Sequence, residues 1–466
     1  MATERGEGPQ DQGGQAEQTT GQESVVVPET AQGVAVANLP AAEAQAADAK
    51  AVTSAPDVLA NSLDEYARAW LRRVGSGESG ALPVVVGLII ISLYFWLRAP
   101  AFLSAGNIAN LMGQAGWIIT IAMAQVFVLL LGEIDLSVGY NAAVGATVTI
   151  WMVSVHHPFP TWLAIAVGLA VSTAIAAIEG AIVAFLKVPS FVVTLAGLLT
   201  LSGVLLWLYE KTGSVGLGGV IQNHNGFING IVSENLSPAL SWVVLIVVVV
   251  ASALYMIVRD QRRRANHLSV APLSITVLKL LVMAAVGVIL VVVLSINRGT
   301  LFQQLRGVPW VVPVVLLLLA LTSVLLGRTK FGRYVYAIGG NAEAARRAGI
   351  NLKRIRVTAF ALAGTFAGIT GILYASLLGS ISNNVNGGQY VLYSVAGAVI
   401  GGVSLFGGRG RMMGAVLGGF VVAVIYNGVI LLGLGAAGQY IWTGGVLLAA
   451  VLLDALARRG SNGATN

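Results

Sequence analysis

The chain has 466 residues, 56% hydrophobic and only 10% charged, whereas a soluble domain carries about 25% charged residues. That deficit excludes an ordinary soluble globular class and points to a membrane protein of many spans. The formal charge is +7, but the basic residues cluster beside apolar runs, as cytoplasmic loops do, and not in a nucleic-acid-binding pattern. No cysteine is present, so thiol chemistry, disulfides and Cys-based metal sites are ruled out.

Residues 1–80 hold 12 of the 20 acidic residues and are rich in Gly, Gln, Ala and Thr. Such a segment has too little apolar surface to offset the entropy of ordering, so a disordered tail is expected. It lacks the basic n-region and apolar h-region of a signal peptide. Near its end, Ser62 to Val74 sets Tyr66, Trp70 and Val74 at four-residue spacing beside Arg68, Arg72 and Arg73. This reads either as an amphipathic helix along the inner membrane surface or as a plain basic flank. A membrane domain then occupies 81–457, and 458–466 forms a short tail.

Twelve apolar stretches approach the roughly 20 residues a spanning helix needs. They lie near 82–97, 110–131, 137–155, 162–186, 190–209, 239–258, 273–296, 309–327, 357–378, 391–406, 412–433 and 439–456. The fold class is therefore all-α, a polytopic transmembrane helical bundle of about 10–12 spans. With the N-terminus inside, the inner connections collect Arg68, Arg72 and Arg73, Lys187, Arg259 to Arg264, Arg328 to Arg356, Arg409, Arg411, Arg458 and Arg459. The outer ones hold only Arg98, Lys211, Arg298 and Arg306. This bias predicts a multi-pass plasma-membrane protein with both termini cytoplasmic. The third stretch is the weakest, since about six residues separate it from the second; a tight hairpin or a broken helix is expected there.

The segment Gly132-Glu-Ile-Asp-Leu-Ser-Val-Gly139 places two carboxylates between apolar runs. Glycine, Asp and Ser disfavour helix, and irregular backbone at membrane depth is tolerated only against protein or a wet cavity. Asp135 and Ser137 are expected to cap the following span. Capping accounts for Asp135 better than for Glu133, which leaves Glu133 as the more suggestive wall or hinge of a pathway.

Residues 328–357 interrupt the apolar pattern with a basic, polar loop. Asn341 is a good N-cap, Glu343 sits in the first turn, Ala344, Ala345 and Ala348 favour helix, and Gly349 reads as the stop. Asn351 is expected to cap a second short helix from Leu352 to Val357. An ordered loop outside the bilayer suggests docking to another protein.

The string GGNAEAARRAGI resembles the coupling loop of bacterial ATP-binding-cassette (ABC) importer permeases. GEIDLSVG, VPSFVVTLAGLL (Val188 to Leu199), IGGVSLFGGRGRMMGAVLGG (Ile400 to Gly419) and YNGVILLG (Tyr426 to Gly433) are similar to the ribose/xylose-type sugar branch of that family, in order from about 82 to 456. The closest resemblance is to the D-xylose permease subgroup. One departure is Tyr390-Val-Leu-Tyr-Ser-Val-Ala396, which lacks the carboxylates of the family's Y-E-L-D-A-I-A-like stretch.

The resemblance implies a membrane permease subunit that brings a monosaccharide, D-xylose or a related pentose or hexose, into the cell. It implies a separate ABC ATPase that carries the ATP and magnesium, an extracytoplasmic sugar-binding protein, and a permease homodimer in the lipid membrane. No phosphate-binding G-x-x-x-x-G-K-[ST] loop occurs; GRTKFGR (Gly327 to Arg333) has its residues in the wrong order. Gly340, Asn341, Glu343, Ala344, Ala345, Arg346, Gly349 and Ile350 are the expected ATPase contacts. The expected pathway residues are Glu133, Asp135, Ser137, Asn141, Phe191, Thr194, Asn383, Asn384 and Gln389, with Asn386 beside them. Of these, Ser137, Asn141, Thr194 and the SNNVNGGQY group are assigned to the outer ends of the spans, and Phe191 to an apolar gate. Glu179 is expected to snorkel or pair, Asp454 to pair with Arg458, and His156 and His157 to bind no metal. The outer stretch Glu210 to Pro238 is expected to help dock the binding protein. A proton-driven secondary sugar transporter working through Glu133, Asp135 or Glu179 is the alternative.

Overall fold

A computed structural model describes residues 82–154, 159–212, 219–266, 270, 272–300, 304–383, 385–435, 437–446 and 448. The expectations for Ser62 to Val74, His156, His157, Asn384, Asp454 and the tails fall outside those residues. The helices are α1 (Leu82–Arg98), α2 (Ala105–Leu129), α3 (Val138–Met152), α4 (Thr161–Leu186), α5 (Ser190–Lys211), α6 (Gly226–Ser233), α7 (Pro238–Ala265) and α8 (Leu273–Ser295). They continue with α9 (Val311–Arg328), α10 (Lys330–Gly340), α11 (Ala342–Arg347), α12 (Leu352–Leu378), α13 (Gly387–Ile400) and α14 (Met412–Leu431). Residues 437–446 are also helical. Two short strands, β1 (Val220–Gln222) and β2 (Ser380–Ser382), pair antiparallel with Ile221 opposite Ile381.

Among the described residues eight helices, α2, α4, α5, α7, α8, α9, α12 and α14, are long and apolar enough to cross a membrane. The chain is thus a polytopic helical membrane bundle. Two of the twelve expected spans are short. α3 has 15 residues and α13 has 14, about 22 and 21 Å at 1.5 Å per residue, short of a core of roughly 30 Å. The helix breaks between the second and third spans, from Leu129 to Val138, and the chain reverses there as a tight hairpin: α2 and α4 both run antiparallel to α12, while α3 runs antiparallel to α4. The tenth span likewise ends early, at Ile400, and the glycine-rich break over 401–411 turns the chain back so that α14 packs antiparallel on α13, Gly418 against Gly397 and Gly414 against Gly401.

The centre of the bundle is α2, 89% buried over its apolar window, packed against α12, α13 and α14. Ser104 starts α2, its hydroxyl accepting from Asn107 N at 3.3 Å. α12 also packs along α4 and α3, where small residues let the backbones close: a methyl on Gly364 would stand 2.4 Å from Ser172 O. At the other extreme α7 is 6% buried, its Val, Ile and Leu side chains open to lipid. α7 and α8 pack on each other, with a small separate core of Leu236, Val291, Leu294 and Val308. The basic stretch Arg259 to Arg264 ends α7 of this peripheral pair.

The loop 328–357 is more helical than its sequence suggested. Lys330–Gly340 forms α10, capped by Thr329, whose hydroxyl accepts from Gly332 N at 3.3 Å. The expected second short helix, Leu352 to Val357, is instead the first turns of the 27-residue α12: nothing in those turns breaks the helix before the membrane is reached.

The basic clusters meet at one end of the bundle. Arg328 lies 4.8 Å over the Tyr255 ring, and Tyr255, Tyr336, Arg409 and Arg411 line one cleft. The opposite, far end carries β1, β2 and α6. There Arg298 donates to Asn235 Oδ1 at 2.9 Å and to the carbonyl of Gly307 at 3.1 Å.

Candidate coupling and pathway site

The coupling loop is built by its caps. Asn341 closes α10 through its N–H to the carbonyl of Ala337 at 3.0 Å and opens α11 by accepting from Ala344 N at 2.9 Å. Gly349, at φ +81°, ends α11, with Gly349 N bonded to Arg346 O and Ile350 N to Ala345 O. Asn351 then caps α12, accepting from Arg354 N at 3.0 Å. Ala345 is buried, and Gly340, Ala344 and Arg346 are exposed. Glu343 pairs with Arg346 at 2.7 Å and with Arg347 at 3.2 Å; the Arg346 hydrogen bonds hold its carboxyl below the ordinary glutamate range.

The first helix break lies against this loop. Glu133 is ion-paired with Arg356 of α12 at 3.1 Å. Between them opens a cleft of about 560 Å³ whose lining includes Glu133, Lys187, Pro189, Arg346, Asn351 and Arg356. The break's own backbone is served by α5: Ile134 N donates to Ser190 Oγ at 3.1 Å, and Thr194 Oγ1 donates to Ile134 O at 3.2 Å. This is the compensation that irregular backbone inside a membrane requires.

Asp135, wholly buried, receives Ser137 N at 2.8 Å and so caps the start of α3 as expected. Ser137 does not cap with its side chain. Its hydroxyl lies 2.7 Å from Asp135 Oδ1 and 2.7 Å from Glu179 Oε2 on α4. A hydroxyl has one hydrogen to donate, so the second contact is a hydrogen bond only when a carboxyl supplies the proton. Glu179 therefore pairs in the interior and does not snorkel. It also lies directly over Gly197 of α5, where a Cβ would fall 1.9 Å from Glu179 Oε1. Asn141 ties α3 to α4, donating to Ser172 O at 3.0 Å.

These positions correct the assignment of Ser137, Asn141 and Thr194 to outer ends. Ser137 and Thr194 stand beside the break that meets Arg356, at the coupling-loop end, and Asn141 is one helical turn further into the interior. Phe191, next to the buried Ser190 on α5, is 53% exposed and so lies outside the buried cluster. Asn383 and Gln389 do lie at the β2 side, over twenty residues along α12 from Arg356: Asn383 N donates to Gly219 O at 3.1 Å, and Gln389 N to Asn386 Oδ1 at 3.1 Å. The expected pathway residues thus form two separate groups.

The second break, 401–411, was singled out in the sequence only by resemblance. It docks on the first: Gly408 N donates to Leu130 O at 2.9 Å. α10 lies on both. A Cβ on Gly339 would stand 1.8 Å from Leu130 O and 2.4 Å from Gly408 N, and Tyr336 donates its hydroxyl to Gly410 O at 2.8 Å. Only a residue without a side chain permits this three-way backbone contact. The sequence signal for α10 was present in Phe331, Val335 and Ile338, apolar at helical spacing after Thr329.

Two kinds of similarity bear on this geometry. The family model described as the permease component of branched-chain amino acid transport systems matches residues 107–456. The xylose transport system permease protein XylH of Escherichia coli (strain K12) is 34% identical over 388 residues, covering 81% of this chain and 92% of the relative. XylH of Haemophilus influenzae is 33% identical over 373 residues, 80% of this chain and 95% of the relative. The ribose import permease protein RbsC of Escherichia coli (strain K12) is 27% identical over 392 residues, 84% and 95%. No solved structure matches the chain.

Proposed function

Because the chain belongs to the permease-component family, in its xylose- and ribose-type branch, we propose that it is the membrane subunit of an ATP-driven importer of a monosaccharide, D-xylose first among pentoses and hexoses. The observation that carries the mechanism is the contact of α10 with both helix breaks, at Leu130 and Gly408. A force applied to α11 reaches α10 through Asn341, which caps both, and from there the two turns that join α2 to α3 and α13 to α14. Irregular joints are where a helical bundle bends at least cost, because their backbone hydrogen bonds are not part of a ladder.

In this reading a separate ATPase grips α11 and the cleft beside it, where Lys187, Arg346 and Arg356 favour an acidic surface. ATP and magnesium act on that subunit. This chain hydrolyses none, and Thr329, within the Gly-Arg-Thr-Lys string, is occupied in capping α10. ATP shifts the bundle only to the extent that the closed ATPase prefers one arrangement of α11. A sugar-binding protein docks at the far end, over α6 and the β1–β2 pair, and two permeases form one pathway in the bacterial plasma membrane. The basic coupling-loop end faces the cytoplasm. A proton-driven transporter needs a free carrier, and Glu133 is engaged with Arg356.

The test is co-purification with the ATPase and binding protein encoded beside it, then sugar-dependent ATP hydrolysis and uptake in liposomes. Uptake by the purified chain alone, abolished by an uncoupler, would replace this reading with the secondary-transport one.

A further inference from the structure

The basic end of the bundle holds a cleft of about 650 Å³, separate from the one at Glu133. It lies among α7, α9, α10, the turn over 401–411 and the start of α14, and its lining includes Tyr255, Ser323, Tyr336, Arg409, Arg411 and Met413. No residue of α11 takes part. Tyr255 stands one helical turn before Arg259, the first charged residue of α7, and Arg328 is the last residue of α9. The cleft therefore sits where these two helices leave the apolar core, the depth at which tyrosines and basic side chains meet lipid headgroups.

Part of the lining is apolar and open. Tyr255 and Met413 are exposed, as are Leu254 and Val258 on α7 and Val324 on α9. Only 6% of the apolar window of α7 is buried, so this side opens toward lipid. The rest of the lining is basic. Ser404 N donates to Arg409 O at 2.9 Å and the Tyr336 hydroxyl to Gly410 O at 2.8 Å, which fixes the backbone that carries Arg409 and Arg411. Arg328, 4.8 Å over the Tyr255 ring, adds a third cation. No acid is among the residues that line the cleft. Among the described residues the ion pairs join Arg259 to Asp260, Arg346 and Arg347 to Glu343, and Arg356 to Glu133. Arg328, Arg409 and Arg411 have no carboxylate partner among them.

We propose that this cleft binds the phosphate headgroup of an anionic phospholipid of the cytoplasmic leaflet, with Arg409 and Arg411 on the phosphate and an acyl chain along the exposed sides of α7 and α9. Guanidinium groups match phosphate oxygens in pairs, and basic pockets between spanning helices on the cytoplasmic side recognise anionic headgroups. A free phosphate ion would gain nothing from the apolar part of the lining. An acidic protein surface would have to lie against α7, the most lipid-open of the long helices. The orientation given above supplies the leaflet; the binding itself does not depend on the sugar-importer reading.

The probe is phosphatidylglycerol, added to the purified full-length chain in detergent and followed by native mass spectrometry. The chain should retain phosphatidylglycerol in preference to phosphatidylcholine by about tenfold or more, and millimolar inorganic phosphate should not displace it. Arg409→Gln with Arg411→Gln should lower the affinity about thirtyfold, the loss of two cationic contacts with the headgroup. Lys353→Gln with Arg354→Gln, an equal loss of charge on the first turn of α12, should leave it unchanged. Met413→Glu keeps both arginines, places a carboxylate in the cleft and should also weaken binding; it decides alone if the double arginine variant does not insert. Equal retention of the two lipids, equal affinity in the two double variants, or displacement by inorganic phosphate overturns the proposal. So does loss of the ATPase from the complex of Arg409→Gln with Arg411→Gln while the lipid stays bound, which would assign these arginines to a protein partner. Failure of the complex to carry sugar would defeat the importer reading and leave these binding results standing.

Discussion

The carboxylate of Glu133 lies 3.1 Å from the guanidinium of Arg356, joining the hairpin between the second and third spans to the first turns of the helix that leaves the coupling loop. The two side chains are 14% and 25% exposed, so water screens the pair less than at an open surface. Exchange of either partner for glutamine should leave the protein inserted and lower sugar uptake per ATP. The double-mutant cycle for Glu133→Gln and Arg356→Gln should give a coupling of about 1 kcal/mol. Additive effects of the two changes would separate Glu133 from the coupling loop.

The Asp135–Ser137–Glu179 chain predicts an ordering of substitutions. Glu179→Gln keeps shape and brings an N–H that can donate to Ser137, so folding and uptake should stay near normal. Glu179→Leu removes a partner of a buried hydroxyl and crowds Gly197, and should cost about 1–3 kcal/mol. Ser137→Ala leaves two acids facing without a bridge and should be worse than Glu179→Gln. Thermal unfolding in detergent measures all three, and a Glu179→Leu variant as stable as Glu179→Gln would rule out the hydrogen-bonded chain.

Much of this was legible beforehand and some was not, for reasons of range. The caps at Asn341, Gly349 and Asn351 are local, set by residues three positions apart, and the structure contains each. The break at Gly132 to Ser137 is also a local matter of backbone chemistry. The Ser137–Glu179 contact spans 42 positions, and the meeting of Leu130 with Gly408 far more; no periodicity carries such pairs. α10 was missed because Gly332, Gly339 and Gly340 read as loop, whereas close backbone packing is what Gly332 and Gly339 permit. Ser137, Asn141 and Thr194 were assigned to the outer ends because hydroxyls and amides suit a sugar. In the structure they serve the backbone and carboxylates of the break, which polar groups inside a membrane must do first.

The Glu343 pairs set a pH dependence for the coupling helix. Hydrogen bonds from Arg346 and then Arg347 hold the folded carboxyl below its ordinary value. Their contribution is therefore present above the ordinary glutamate pKa and is lost as pH falls through the lowered folded value. ATPase docking to the permease should weaken on acidification over that interval, and Glu343→Gln should remove this component of the pH dependence. Glu343→Lys, which places three basic residues together, should leave an inserted but uncoupled protein. Undiminished uptake by Glu343→Lys would count directly against α11 as the handle.

Gly339 offers the sharpest test of transmission. A methyl there would stand 1.8 Å from Leu130 O and 2.4 Å from Gly408 N, both backbone atoms that no side-chain rotation can relieve. Gly339→Ala must therefore push α10 off the two breaks, at about 1–3 kcal/mol for forced repacking. Gly327→Ala, at the end of α9, meets nothing within 4 Å and supplies the comparison. If α10 transmits the movement, Gly339→Ala should bind the ATPase, since α11 and its caps are untouched, and hydrolyse ATP without moving sugar. Gly327→Ala should transport as the unmodified chain does. Equal uptake by the two variants would mean that the backbone contact at Leu130 and Gly408 is not the route by which the loop acts on the membrane helices.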